Sequence, residues 1–317
     1  MFKVGIVGAG RLSRVHVRHL SRIPGIDIIA YDQHTERAEE LARECSGQSA
    51  STFEELLEMS DAIDIITPND THAEYAVKAI NAGKHTFIEK PLEVSPETAK
   101  PILEAASKSS ATITVGQVVR YFAMYRKGHD LVKSGAVGTP AAVRMTRGGG
   151  MPGGEGAWFG NHARSGGVFV DLAVHDFDWL LWTIGKITEV YAKSVGSKTG
   201  SGADYGLATL TFENGCIGHV ESTWMDQTES RTAFEVCGSG GMIEFDSRNT
   251  PTLRSGLKLD QNFSSEEDPF FQQLRDFVAC AREGKPAPVT VQDAFAALTI
   301  ADACRKSAAT NAPVFIR

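Results

Sequence analysis

Between residues 2 and 117 short β-branched runs alternate with amphipathic stretches, and no other feature of the chain constrains its fold as tightly. Strands that alternate with helices build a parallel sheet with crossover connections. Six strands are expected: Lys3 to Val7, Ile26 to Tyr31, a weak one near Ser49 to Thr52, Ile63 to Thr67, His85 to Ile88, and Thr112 to Gly116. Leu12 to Ile23, Thr35 to Glu44, Thr71 to Asn81 and Pro96 to Ser107 read as the intervening helices. In the third, Ala73, Ala76, Val77 and Ile80 form an apolar face at i, i+3, i+4 and i+7, and Asn81 and Gly83 are stop signals. The expected fold class is α/β, opening with a doubly wound parallel sheet.

After Gly116 the texture changes. A helix near Tyr121 to Lys133 leads to a strand near Ala141 to Thr146 and then to the passage GGGMPGGEGAWFG at 148–160. Its seven glycines cannot pack a core, so it is either a surface linker or a substrate lid. From Ile187 to Phe245 β-branched and aromatic residues recur between turn signals such as Asn214-Gly215 and Gly238 to Gly241, the pattern of a mostly antiparallel sheet. Helices near Phe270 to Arg282 and Gln292 to Ser307 follow. A chain of 317 residues exceeds the usual single core, and the change of texture puts the domain boundary near residue 118.

Charge and composition exclude several functions. Thirty-two basic against 39 acidic side chains leave a net charge of -7, a field that repels nucleic acid and anionic lipid. The N-terminus, MFKVGIVGAG, lacks a signal-peptide pattern, and no run of about eighteen apolar residues follows. The cysteines Cys45, Cys216, Cys237, Cys280 and Cys304 are scattered, with no C-x-x-C pair, as expected of a protein of the reducing cytoplasm.

Gly8-Ala9-Gly10-Arg11-Leu12-Ser13 directly follows the first strand and opens the first helix, where backbone N–H groups and the positive helix end hold a pyrophosphate. Gly8 makes the tight turn and Gly10 lets the diphosphate approach, while Ser13 replaces the third glycine, whose role is packing. Asp32 ends the second strand 24 residues after Gly8, close to the spacing of about twenty at which a carboxylate meets the adenosine ribose. The alternative is that Asp32 caps the next helix. The carboxylate would repel a 2′-phosphate, so NAD is favoured as cofactor, and Arg37 leaves NADP open.

Thr67-Pro68-Asn69-Asp70-Thr71-His72 and Glu89-Lys90-Pro91 stand at the ends of the fourth and fifth strands, where doubly wound sheets place ligands. His72 could cap or pack its helix, or touch cofactor. Arg120, beyond the sixth strand, could reach a substrate or form an interdomain salt bridge. Trp158 in the glycine passage is open to either role. Asp171, His175 and Asp178 fall at i, i+4 and i+7, so on one helix they share a face as metal ligands, a polar face or catalysts. Asp176 or His162 would complete a metal set, which the Lys90 ammonium would oppose, and no metal is expected.

The stretch TPNDTHAEYAVKAINAGKHTFIEKPL from Thr67 to Leu92, with the N-terminal fingerprint, resembles the glucose–fructose oxidoreductase/inositol dehydrogenase/MocA-like family of two-domain NAD(P)-dependent oxidoreductases. Ser165-Gly166-Gly167 leading to Asp171 and His175 is similar to that family's second motif, so nearly the whole chain is covered. The resemblance implies a Rossmann domain at 1–118 and, at 119–317, a substrate-binding and oligomerisation α+β domain with a large open sheet, its C-terminal helices able to pack back on the first. It implies that Lys90, Asp171 and His175 meet at the nicotinamide, with His175 exchanging the substrate proton. It also implies that Pro68, Asn69 and Glu89 line the nicotinamide and its ribose, that the Lys90–Pro91 bond is a candidate for cis, and that the chain forms a dimer or tetramer. The expected activity is oxidation of a polyol or sugar hydroxyl, inositol-like compounds leading. A ligand-sensing regulator without turnover, and a metal-dependent hydrolase or isomerase, are the alternatives.

Overall fold

The computed structural model describes residues 1–153, 155–196, 204–226, 230–249, 252–255, 258–261 and 267–316. It divides the chain into two compact units, one of Met1–Val118 with Glu267–Phe295 and one of Val119–Glu266 with Ala296–Arg317.

The first unit holds a six-stranded parallel sheet of β1 (Phe2–Val7), β2 (Ile26–Tyr31), β3 (Gln48–Ser49), β4 (Ala62–Ile65), β5 (His85–Ile88) and β6 (Ile113–Val115). The order is β3-β2-β1-β4-β5-β6, which reverses direction between β1 and β4. Helices α1 (Arg11–Leu20), α2 (Thr35–Glu44), α3 (Phe53–Met59), α4 (His72–Asn81) and α5 (Pro96–Ser107) make the crossovers. β4 is buried along its whole length, as expected of a parallel strand covered on both faces. In α1, Ser13, His16, Val17 and Leu20 recur at i, i+3, i+4 and i+7 and are all buried.

The third strand is shorter than expected, and the helix α3 after it was not foreseen. Thr52 caps α3 by accepting the Glu55 N–H at 3.1 Å, while the Glu55 carboxylate accepts the Ser51 N–H at 2.7 Å. Thr52-x-x-Glu55 before Leu56 is a capping-box pattern that marks this start in the sequence.

The second unit begins with a 3₁₀ turn at Val118–Tyr121 and α6 (Ala123–Lys133). β7 (Pro140–Gly148) then runs into the first glycine of the 148–160 passage, which closes in a 3₁₀ turn at Glu155–Gly160. The lid expectation for that passage falls in part on residue 154, outside the described residues. Short helices α7 (His162–Ser165) and α8 (Gly167–Asp171) precede α9 (Val174–Thr183).

The second sheet contains β7, β8 (Ile187–Val195), β9 (Tyr205–Phe212), β10 (Ile217–Thr223), β11 (Arg231–Gly238), β12 (Gly241–Asp246), β13 (Thr252–Ser255), β14 (Lys258–Gln261) and β15 (Val314–Phe315). Their order is β14-β13-β12-β11-β7-β10-β9-β8-β15. Every pairing is antiparallel except β7 with β10. The alternation of buried and exposed positions along β9 and β10 shows that one face packs inward.

α10 (Pro269–Glu283) follows, and then α11 (Val291–Thr310), within which the boundary between the units falls. Leu274, Phe277, Val278 and Ala281 of α10 pack in one cluster with Val4, Ile6, Val17, Leu20 and Phe87 of the first unit. Asp268 caps α10 by accepting the Phe270 N–H at 2.8 Å. No described helix is long and apolar enough to cross a membrane.

Candidate functional site

In the first unit the glycine loop lies at the switch point between β1 and β4, where open α/β sheets bind ligands. Gly8 has φ 97°, and a Cβ there would stand 2.5 Å from the Ile66 carbonyl oxygen, so both conformation and space demand glycine. Gly10 differs: a Cβ added to it would meet nothing within 4 Å. The open space above Gly10 suits the close approach of a diphosphate. Gly10 stands at the N-cap of α1 with extended backbone and no side-chain cap, which leaves the first N–H groups of the helix to a ligand. Arg11 and Leu12 form its first turn. Ser13 is fully buried, a packing position as its role in the fingerprint requires.

Asp32 bridges the loop and the next crossover. One carboxylate oxygen accepts the Ala9 N–H at 2.9 Å and the other the His34 N–H at 2.8 Å. The N-cap of α2 is His34, so Asp32 is not itself the cap. An ionised carboxylate has about four acceptor sites, and two of them remain after these bonds.

At the end of β4, Thr71 donates to the Thr67 hydroxyl at 2.8 Å and approaches the Pro68 carbonyl at 2.7 Å, which shapes the Thr67-Pro68-Asn69 turn. Asn69 is buried. The ring nitrogens of His72 face the carbonyl oxygens of Pro91, at 2.8 Å, and Thr67, at 3.0 Å, and the residue has no exposed surface. This corrects the expectation of a cofactor contact: the ring is enclosed, and both nitrogens serve to join the loops after β4 and β5. The Lys90–Pro91 peptide bond is cis.

Glu89 is turned inward. His16 lies between two carboxylates, its Nδ1 at 2.9 Å from Asp64 and its Nε2 at 3.2 Å from Glu89, and all three residues are buried. The second Glu89 oxygen accepts the Lys90 N–H at 3.0 Å. The Glu89 carboxylate thus lies between the His16 ring and the backbone of Lys90. Burial acts to lower the His16 pKa, but Asp64 and Glu89 outweigh it and push it up to about 10. Burial raises the Asp64 pKa against the pull of His16. His16 and Asp64 were not singled out in the sequence, although an aspartate inside the buried run Ala62-Ile63-Asp64-Ile65 signals a buried partner.

A raised histidine pKa stabilises the fold fully below the unfolded value of about 6.5, and the gain is lost as pH rises through the folded value. The stability difference between the parent chain and His16→Gln is therefore expected to be largest below about pH 6.5 and to shrink toward pH 10. Urea unfolding at a series of pH values measures it; a difference that grows with pH would contradict the assignment.

In the second unit the expected single face of Asp171, His175 and Asp178 is interrupted. Asp171 ends α8 and His175 stands in the first turn of α9, and between them the Ala173 N–H bonds the Val168 carbonyl rather than continuing a regular helix. Asp171 is buried and His175 half-buried. Asp178 accepts two hydrogen bonds from the Arg120 guanidinium, at 2.7 and 2.6 Å. Arg120 also lies 5.3 Å from the centre of the Trp182 ring. This ion pair is internal to the second unit. Asp176 is bound by Arg147 at 2.7 Å, and His162 Nε2 lies 2.6 Å from Asp204. Each residue considered for completing a metal set thus has its own partner. Among the described residues no group of three His, Cys, Asp or Glu side chains could hold a metal ion. Trp158 is half-buried and stacks on Phe159 with ring centres 3.8 Å apart.

Comparison with known proteins agrees with this geometry. Residues 2–117 match the family model described as an oxidoreductase family NAD-binding Rossmann fold, and residues 125–244 match the GFO/IDH/MocA C-terminal domain. An uncharacterized oxidoreductase of Bacillus subtilis, YrbE, is 30% identical over 98% of this chain and 96% of its own. The scyllo-inositol 2-dehydrogenase (NAD(+)) of the same organism is 29% identical over 98% and 95%. The crystal structure of GenD2 from gentamicin A biosynthesis, in complex with NAD, superposes with a TM-score of 0.89 at 25% identity, covering 100% of this chain and 96% of that one. With its NAD-binding Rossmann unit and its mostly antiparallel second sheet, the chain belongs to the GFO/IDH/MocA family of oxidoreductases.

Proposed function

We propose that this chain is an NAD-dependent dehydrogenase that oxidises a ring or chain hydroxyl of a polyol or sugar, with inositol-like compounds the leading substrates. The observation that carries it is the cofactor loop of the first unit, with open space over Gly10 and the Asp32 carboxylate on the loop backbone, in a chain whose relatives include inositol dehydrogenases. In this reading Gly8, Gly10, Arg11 and Leu12 take the diphosphate, Asp32 the adenosine ribose, and Thr67, Pro68 and Asn69 the nicotinamide end. Bound NAD supplies the hydride-accepting carbon. His175 removes the substrate hydroxyl proton, because hydride loss from a carbinol otherwise leaves an alkoxide, and imidazole titrates nearest neutral pH. Lys90 holds the oxygen as negative charge develops, and Asp171 orients it. Arg120 and Trp158 border the substrate.

The test is a panel of inositols, sugars and linear polyols with NAD, reading NADH formation. No NADH from any of them, by protein that binds NAD, overturns the reading. Cofactor choice has its own test. A hydrogen bond to a charged group contributes about 1.5–3 kcal/mol, so Asp32→Ala is expected to lower kcat/KM for NAD roughly ten- to a hundredfold and to raise the NADP-to-NAD ratio. An unchanged ratio would remove Asp32 from the ribose.

The reading includes work in a reducing cytoplasm, consistent with five free cysteines, and a homo-oligomer of two or four copies. Ile217 and Phe315, 58% and 70% exposed, share one outer row of the second sheet and offer apolar surface to another copy. Sedimentation as a monomer would remove the oligomer.

A further inference from the structure

Three buried side chains from three elements meet beneath the loop after β5. His16 comes from α1, Asp64 from β4 and Glu89 from the residue after β5, and their relative exposures are 0%, 1% and 5%. Their enclosure is tight. The Phe87 ring meets the His16 ring edge-on at 5.6 Å, and Phe270 lies 6.2 Å away. A Cβ added to Gly116 would stand 2.7 Å from Glu89 Oε1, so glycine at 116 makes room for the carboxylate. On its other side, Glu89 Oε2 accepts the N–H of Lys90 at 3.0 Å.

An ion pair of this kind is an expensive way to fill space, since apolar residues of similar volume are often as stable. Its geometry suggests another use. Glu89 has one oxygen 3.2 Å from His16 Nε2, an ion-pair approach, and the other on the backbone N–H of the next residue, so its carboxylate is met from both ends. Without His16, Glu89 Oε1 would be a buried anion lacking its cation, and the ammonium of the adjacent Lys90 could take that place. Drawing Lys90 inward would remove it from a substrate oxygen.

We propose that His16 is a positioning residue for Lys90: by pairing with Glu89 and Asp64 it holds the carboxylate that anchors the Lys90 backbone and so sets where the Lys90 ammonium stands toward substrate. This rests on the reading in which Lys90 acts on the substrate oxygen. The effect belongs to turnover and not to cofactor affinity, because the His16 ring meets Asp64, Glu89, Phe87 and Phe270.

The experiment compares His16→Gln, Glu89→Gln, the double variant and Lys90→Met in the full chain. NAD and myo-inositol are the assay pair, or the fastest polyol of the panel if that differs. Folded fraction is read by near-ultraviolet circular dichroism and NAD affinity by quenching of intrinsic fluorescence. In His16→Gln, kcat per folded molecule is expected to fall roughly ten- to hundredfold, the scale of a misplaced catalytic group, with NAD affinity within about threefold of the parent. The double variant removes the uncompensated anion, leaves a carboxamide oxygen for the Lys90 N–H, and is expected to recover most of the lost kcat. A purely structural His16 would change thermal stability and leave kcat per folded molecule within about threefold, which overturns the proposal. A fall in NAD affinity that matches the fall in kcat also overturns it. If His16→Gln does not fold, Glu89→Ala carries the test, and unchanged kcat there overturns the proposal. Lys90→Met separates the two levels: retained kcat in that variant defeats the reading of Lys90 itself, while lost kcat there with normal kcat in His16→Gln defeats only the role of His16.

Discussion

Replacing His175 with alanine is expected to lower kcat by about 10²- to 10⁴-fold, the usual contribution of a positioned general base, while NAD affinity stays nearly unchanged. The separation follows from where the residue sits. His175 belongs to α9 in the second unit, whereas the glycine loop, Asp32 and the Thr67-Pro68-Asn69 turn all belong to the first. A base missing from the reaction leaves those cofactor groups intact. Transient kinetics with NAD and the best polyol of the panel, together with an NAD titration, read the two quantities separately. Turnover unchanged in His175→Ala would discard the proton-exchange role.

Asp178→Ala is expected to cost about 3–5 kcal/mol of stability, because it leaves the Arg120 guanidinium in a protein interior without its bidentate partner. Asp178 has no exposed surface and Arg120 only 8%, so water cannot replace the lost carboxylate. An Arg120→Met/Asp178→Leu pair, which removes both charges together, should recover much of that loss, since apolar replacements of a buried ion pair are often neutral. Urea unfolding of the three proteins gives the comparison. A loss below about 1 kcal/mol in Asp178→Ala, the range of exposed pairs, would show that the pair is solvated in solution.

The doubly wound sheet was legible because periodicity and turn chemistry act locally. Each parallel strand overlaps a β-branched run of the sequence, the third by Ser49 alone, and the Gly8 loop stands at the end of β1. Helix α3 carries its own local signal, the Thr52-x-x-Glu55 box. The parallel pairing of β7 with β10 has no such signal. It joins Ala142–Gly148 to Ile217–Thr223, and long-range partners leave no periodic trace in either strand.

The candidate site divides in the same way. Gly8, Gly10 and Asp32 are constrained by neighbouring backbone, and their spacing shows it. Arg120 and Asp178 are 58 positions apart, and only three-dimensional packing reveals that each neutralises the other. His72 adjoins a strand end, yet its ring is enclosed between the Pro91 and Thr67 carbonyls, an orientation that chain position alone does not fix. His16 stands 48 positions from Asp64, a separation over which no local pattern marks it as the partner of an acid.

The return of α10 to the first unit bears on how this protein can be cut. A fragment that stopped at residue 118 would lose Leu274, Phe277, Val278 and Ala281 and strip the cover from Val17, Leu20 and Phe87. It would also lose the backbone carbonyl of Val289, which accepts from the Thr114 hydroxyl at 2.9 Å, and the Arg282 guanidinium, which donates to the Gly25 carbonyl at 2.8 Å. The nucleotide half is thus assembled from both ends of the polypeptide. A ribosome must finish nearly the whole chain before that half can close, and a separately expressed version would need residues 267–295 spliced back on by a linker.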